Sequence, residues 1–228
     1  MRYVQRDAAG SGRVEQPFLA AFDLATGEWD PAFRPVLNEQ VRALETLPDG
    51  TVVAGGAFSR ANGAPATSIV ALDPATGATR TTWNLKLENR STAGVLNVRT
   101  LDVSGSHLYI GGAFSHLSGG TAPSTVVYSR SAARVALTTA TPDGTWNPDF
   151  NGSVIDLDVS DDVSRVYASG YFRNTKGVTA HRVAALTTSA GAALATTAWR
   201  PTWSNRDHDY QQAVQQVGQV RMLRHSGI

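Results

Sequence analysis

The densest group of carboxylates in this chain lies between residues 156 and 162, where Asp156, Asp158, Asp161 and Asp162 follow one another closely. Runs of this kind form calcium-binding loops when a Gly makes the central turn and a Glu closes the ligand set. Neither residue stands at the required position here. Asp156 and Asp158 alternate instead with apolar neighbours, which is the period of a strand with one solvated face. We therefore expect these two carboxylates to face solvent.

Other residues that could carry chemistry are sparse. The chain has no Cys, which excludes thiolate metal sites, iron–sulfur clusters and Cys nucleophiles. The five His residues are not spaced as metal ligands, and the sequence predicts no catalytic residue, no metal and no cofactor. His208, Asp209 and Tyr210 are the candidate ligand-binding residues, because we expect them in a loop at one end of the fold. An ordinary exposed loop is the alternative interpretation.

Four Trp residues stand at equivalent places along the chain, at positions 29, 83, 146 and 199. Exposed aromatic rings of this kind could form a platform on which a sugar stacks. A residue that recurs at the same place in every repeat is more typical of packing between the repeats. We therefore expect the Trp side chains to be buried.

A short motif reveals the internal repeat. Residues 55–59 (GGAFS) recur at 111–115 (GGAFS) and, in degraded form, at 169–173 (SGYFR), so that the Phe residues are 56 and 58 positions apart. An alternating apolar segment precedes each copy, and an apolar segment, a Gly turn and a Trp follow it. Several landmarks in a constant order at one period indicate a repeat architecture.

Each repeat has the pattern of four strands. In the first repeat these cover residues 41–47, 51–58 and 68–73, and a last segment that ends near residue 85. No segment has a helical period. Because one four-stranded sheet cannot bury both faces, such sheets stack as the blades of a β-propeller. The predicted fold is all-β, a β-propeller with four-stranded antiparallel blades of about 57 residues.

The repeat phase predicts an incomplete ring of three full and two partial blades. The predicted divisions are an irregular segment at 1–17, a partial blade at 18–33, blades at 41–85, 98–147 and 154–203, the start of a partial blade at 210–217 and a degenerate end at 218–228, with the repeats together covering 18–217. We expect an open arc whose ends do not pair. Residues 1–12 lack the apolar stretch of a signal peptide, and the repeat phase favours a segment of a larger multidomain chain.

The best copy of the repeat, GGAFSRANG at 55–63 with LPDG before it, resembles the delta-60 repeat, as does the WNPDFN segment at 146–151. Delta-60 proteins are bacterial β-propeller-like repeat proteins, often in large secreted or surface-attached chains. The resemblance covers roughly residues 18 to 217. It implies the fold and a secreted or cell-surface location, and it carries no catalytic residues onto this chain.

The segments DLATGEW at 23–29 and DPATG at 73–77, followed by Trp83, also resemble the tryptophan-docking motif of quinoprotein dehydrogenases. In that motif Asp and Thr-Gly close a tight turn, and the Trp packs between blades. The adjacent Cys pair typical of many quinone sites is absent. We therefore expect a structural role for these residues and no bound quinone.

The composition narrows the range of partners. The formal net charge is +1 and charged residues make up 17% of the chain, so no nucleic-acid partner is expected. No apolar run reaches the length of a membrane span. The sequence favours a non-catalytic binding or scaffolding module with a protein or carbohydrate ligand of unknown identity. The alternatives are a propeller hydrolase or oxidoreductase with a site in the central channel, and a carbohydrate-binding lectin-type propeller.

Overall fold

The fold was analysed in a computed structural model, which describes residues 3–4, 12–91, 94–195, 210–218 and 220–225. Within this part the chain is all-β, and no helix is long and apolar enough to cross a membrane. The strands in chain order are β1 (Tyr3–Val4), β2 (Val14–Glu15), β3 (Val41–Thr46), β4 (Val52–Gly56), β5 (Arg60–Ala61), β6 (Ala64–Pro65), β7 (Ile69–Leu72), β8 (Lys86–Glu88), β9 (Asn97–Ser104), β10 (His107–Ala113), β11 (His116–Gly119), β12 (Ala122–Tyr128), β13 (Ala132–Ala136), β14 (Val154–Val159), β15 (Arg165–Gly170), β16 (Asn174–Thr175), β17 (Val178–Thr179), β18 (Val183–Thr187), β19 (Gln211–Val217) and β20 (Val220–His225).

Three sheets repeat the same topology. The first sheet is β3–β4–β7, the second is β9–β10–β13 and the third is β14–β15–β18, and all their strand pairs are antiparallel. The central strand of each sheet ends in the glycine motif found in the sequence, because a flat, tightly packed backbone position favours a residue without a side chain. The first three strands predicted for each repeat therefore form.

The fourth predicted strand of the first two repeats is much shorter than expected. After β7 the chain turns and makes one isolated bridge, between Leu72 and Thr79. The Arg80 N–H donates to the carbonyl oxygen of Ala71 at 2.9 Å. Equivalent single bridges follow β13 and β18. The four-stranded sheets expected at 41–85 and 98–147 are thus three-stranded sheets with a bridged fourth segment, whereas the fourth segment expected in 154–203 continues into residues outside the described part.

A short hairpin lies between the second and third strand of each sheet, as β5–β6, β11–β12 and β16–β17. The segment that precedes the first strand docks on this hairpin each time. In the first repeat Leu37 forms a bridge with Ala61, and in the third Phe150 forms a bridge with Thr175. In the second repeat the docking segment is the strand β8, which pairs with β11.

The core lies between successive sheets. Val53 and Ile69 of the first sheet pack in one cluster with Leu108 of the second, and Tyr109 of the second sheet packs in another with Leu157 of the third. The central strands are consequently buried on both faces. The repeated Phe residues of the glycine motif are at most 2% exposed. Phe114 and Phe172 lie in these two clusters, and Phe58 lies in a third cluster with Leu19. Burial explains why the same aromatic residue recurs at this place of the motif.

Both ends of the described chain carry a short strand pair. Within the segment 1–17, predicted to be irregular, β1 pairs with β2. Within the segment 218–228, predicted to be degenerate or truncated, β20 pairs with β19 and shares the bulged register of the other first and second strands. The segment 18–33 contains one isolated bridge, between Phe22 and Trp29. Among the described residues, this segment does not pair with β19 or β20.

Candidate functional site

The strands that begin the repeats are β3, β9, β14 and β19, and we call them the first strands. Each first strand contains a β-bulge at the same place. In every one of them one residue near the start of the strand is extra relative to the neighbouring strand, the third residue in β9 and the second in the other strands, and the register shifts by one. The extra residues are Arg42, Arg99, Ile155 and Gln212. A bulge bends the strand and redirects a side chain, and bulges are frequent next to binding sites. Equivalent bulges therefore present four side chains at equivalent positions.

The second Gly of the motif makes this bulge sterically feasible. A Cβ atom on Gly56 would collide with the backbone carbonyl oxygen of Gln40, and one on Gly112 with that of Asn97. The same carbonyl of Gln40 accepts a hydrogen bond from the N–H of Ala57 at 2.9 Å. A residue with a side chain cannot occupy this place without moving the first strand.

Two tyrosines stand near two of the bulged residues. The rings of Tyr171 and Tyr210 stack with centroids 4.3 Å apart and an interplanar angle of 27°. The Gln212 amide Nε2 donates to the Tyr210 hydroxyl at 3.1 Å, and Arg99 interacts electrostatically with both tyrosines. We name the group Arg42, Arg99, Tyr171, Tyr210 and Gln212 the bulge cluster.

The charged groups of the bulge cluster are the guanidinium groups of Arg42 and Arg99. Burial lowers the pKa of Arg99, and the nearby Arg42 guanidinium lowers it further. Within the described part of the chain, the Arg99 Nε atom is buried without a hydrogen-bond partner, and neither arginine is in an ion pair. Burial and the hydrogen bond with Tyr210 raise the pKa of the Tyr171 hydroxyl, which remains protonated. The cluster is therefore rich in donors.

The expectation that Asp156 and Asp158 face solvent is wrong. Both are half-buried, because they join β14 to β19. Asp156 Oδ2 accepts a hydrogen bond from the N–H of Val214 at 2.9 Å, and Asp158 Oδ2 accepts one from the N–H of Gln216 at 2.6 Å. Burial raises the pKa of Asp156, although the hydrogen bonds that it accepts oppose this shift.

The same kind of link joins β9 to β14. Asp102 Oδ2 accepts from the N–H of Val159 at 2.6 Å, and Thr100 Oγ1 accepts from the N–H of Leu157 at 3.3 Å. Burial raises the pKa of Asp102 to about 6, and the nearby carboxylate of Asp158 adds to this effect. These polar side chains of the first strands therefore tie one sheet to the next.

The remaining carboxylates of the acidic run have local roles. Asp162 Oδ1 accepts from the Ser160 hydroxyl at 2.6 Å and from the N–H of Ser164 at 3.1 Å, and these bonds lower its pKa to about 2. Asp161 is exposed. Across the residues with described positions, no three His, Asp or Glu side chains surround a common point suited to a metal ion.

The tryptophans pack rather than form a platform. Trp29, Trp83 and Trp146 are at most 7% exposed. The Trp83 indole Nε1 donates to the carbonyl oxygen of Leu137 at 3.0 Å, and the Trp146 Nε1 donates to that of Thr187 at 2.9 Å. Each bond reaches from one repeat to the next. Trp199 lies outside the described residues.

Of the three predicted ligand-binding residues, the structure places Tyr210, which belongs to the bulge cluster. His208 and Asp209 lie outside the described residues. The sequence interpretation missed the other four members of the cluster, which are Arg42, Arg99, Tyr171 and Gln212. Two signals were available: an Arg directly after the first Val of two of the alternating segments, and the Tyr that replaces Ala in the third copy of the motif.

Comparison with known proteins adds no family to this picture. No protein-family model and no curated protein shows a significant match to the chain.

Proposed function

We propose that this chain is a non-catalytic binding or scaffolding module of a secreted or surface-attached bacterial protein, and that its three sheets are blades of a β-propeller of the delta-60 type arranged as an incomplete ring. Face-to-face cores between successive sheets and first strands that lie side by side support the propeller arrangement. A module of this kind would form one part of a longer chain with a protein or carbohydrate ligand.

The proposed function rests on one observation: the first strands carry two groups of polar side chains, one that bonds to the next repeat and one that does not. The carboxylates of Asp102, Asp156 and Asp158 accept backbone N–H groups of the next repeat and so hold the sheets together. In contrast, the Arg99 Nε atom is buried without a hydrogen-bond partner, and within the described chain neither the Arg42 nor the Arg99 side chain is in an ion pair. A rigid scaffold that presents donors which the fold does not use is the arrangement expected of a binding surface.

The test combines binding with turnover on the purified chain. Thermal unfolding is followed with a panel of acidic sugars, neutral sugars and acidic peptides, because a ligand that binds only the folded state raises the Tm in a saturable way. Chromogenic esters, glycosides and phosphodiesters are assayed in parallel. We expect saturable stabilisation by some member of the panel and no turnover.

An enzyme would give the opposite result. Turnover that co-purifies with the chain and disappears in a folded Asp102→Asn variant, whose Tm is not lowered, would overturn the proposal. Asp102 is the appropriate residue for this control because a carboxyl with a pKa of about 6 has the protonation behaviour of a general acid or base near neutral pH.

A further inference from the structure

The bulge cluster combines three kinds of donor at one end of the first strands. The guanidinium groups of Arg42 and Arg99 supply charge, the hydroxyls of Tyr171 and Tyr210 supply polar contacts beside an aromatic surface, and Gln212 supplies an amide. A planar guanidinium fork matches the two oxygens of a carboxylate. The first requirement on a ligand is therefore a planar, negatively charged group.

The charge balance of the cluster supports the same requirement. Arg99 is half-buried with its Nε atom shielded from solvent, and Arg42 adds a second positive charge nearby. Within the described residues no carboxylate of the chain is paired with either of them. Burying a charge without a partner is costly, so an anionic ligand would satisfy donors that the fold leaves open.

The aromatic part of the cluster narrows the ligand further. Tyr171 is 42% exposed although it stacks on Tyr210, so part of its surface remains accessible. Tyr presents an apolar ring together with a polar hydroxyl. A sugar ring has the complementary surface, with an apolar C–H face and hydroxyl groups around its edge. The hydroxyls of the tyrosines and the amide of Gln212 can both donate to and accept from such groups.

We infer that the bulge cluster binds the carboxylate of an acidic sugar, of the uronic acid type, with Arg42 and Arg99 holding the carboxylate and the tyrosines and Gln212 contacting the sugar ring. This inference rests on the proposed binding function and names its ligand class. A hydrogen bond or ion pair to a carboxylate is among the stronger polar contacts in proteins, so the arginines should dominate the affinity.

The test is a titration of the purified chain with D-glucuronate, with D-glucose as the neutral analogue and acetate as the carboxylate without a sugar. Binding is measured by isothermal calorimetry or by NMR shifts. The variants are Arg99→Gln, Arg42→Gln and Arg99→Lys. The matched control is Arg60→Gln, since Arg60 is an exposed arginine that donates to the carbonyl oxygen of Gly63 in a hairpin. The Tm of each variant shows that it is folded.

We expect glucuronate to bind, and to bind more tightly than glucose or acetate. Arg99→Gln should weaken it by at least about tenfold, Arg99→Lys should restore only part of the loss because the fork is missing, and Arg60→Gln should bind as the unmodified chain does. Affinity should fall as salt rises.

Three results would overturn the inference. Glucuronate could fail to bind, or it could bind with an affinity that a folded Arg99→Gln variant retains, or an acidic peptide could bind through the arginines in its place. In the last case the proposed binding function stands and only the ligand class is wrong. Failure of the proposed function itself is distinguishable, because it appears as turnover in the parallel enzyme assays.

Discussion

The raised pKa of Asp102 predicts that one conservative substitution changes stability in a pH-dependent way. In the folded chain this carboxyl has a pKa of about 6 instead of 3.8, because of burial and of the neighbouring Asp158, Glu45 and Asp156. The folded chain therefore holds a proton that the unfolded chain has lost between these pH values. By linkage, the contribution of Asp102 to stability is fully present below about pH 4 and is lost as the pH rises through 6.

The magnitude follows from the two pKa values. A rise from 3.8 to about 6 corresponds to about 3 kcal/mol when fully expressed, since one pKa unit is worth about 1.4 kcal/mol. Asp102 is only partly shielded from water, and solvent screening reduces this to roughly 1–2 kcal/mol. Asp102→Asn removes the charge, and its amide oxygen can still accept the N–H of Val159. The variant should thus be more stable than the unmodified chain by roughly 1–2 kcal/mol at pH 7.5 and nearly equal at pH 4.

The assay is urea unfolding at both pH values, followed by Trp fluorescence. Asp102→Ala is the matched control, because it removes the charge together with the acceptor of the Val159 N–H, the 2.6 Å hydrogen bond described above. An unsatisfied buried N–H costs about 1–3 kcal/mol, so the Ala variant should be less stable than the Asn variant at both pH values. The reasoning is refuted if Asp102→Asn changes the free energy of unfolding equally at pH 4 and pH 7.5, or destabilises the chain at pH 7.5.

Three further predictions concern the packing, and urea titration measures all of them. Phe114→Ala should lower the free energy of unfolding by about 3–5 kcal/mol, because Phe114 is buried in the core; a loss below about 1 kcal/mol would show that the site is not tightly packed. Gly112→Ala should cost about 3 kcal/mol or more, because the new Cβ would collide with the carbonyl oxygen of Asn97. Gly63→Ala is the control and should cost only about 1 kcal/mol, because its φ is +81° but no atom lies near the new Cβ. Equal losses for the two variants would argue against the steric explanation. Trp146→Phe should cost about 1 kcal/mol by leaving the half-buried carbonyl of Thr187 without this donor, and a neutral result would show that water replaces the indole.

Much of the strand arrangement could be predicted from the sequence. The alternation before each glycine motif and the apolar segment after it predicted the first three strands of each sheet, because strand periodicity is a local property. The fourth strand was overestimated, since a tight turn that begins at Asp73 brings only Thr79 into a bridge before the chain leaves the sheet. The strand β20 was missed, because its pairing with β19 depends on backbone register and not on the glycine motif.

The candidate site was predictable only in part. Tyr210 was identified from its place in a connecting loop, whereas Arg42 and Arg99 resembled ordinary exposed residues of an alternating strand. Both arginines are the extra residue of a bulge, and a bulge is defined by the pairing of two strands. The sequence of one strand alone therefore does not show that the two arginines are equivalent. In the same way the alternation around Asp156 predicted a solvated carboxylate, and the neighbouring strand β19 buries it.

The sequence by itself determined the all-β character, the order of the repeated strands and the burial of the repeated Phe and Trp residues that the structure describes, since each of these depends on residue type and local period. The tertiary structure decided which polar side chains hold the sheets together. The physical reason is distance along the chain. Asp158 and Gln216, which are hydrogen-bonded, are 58 residues apart, and only the packing of one sheet on the next brings such residues together.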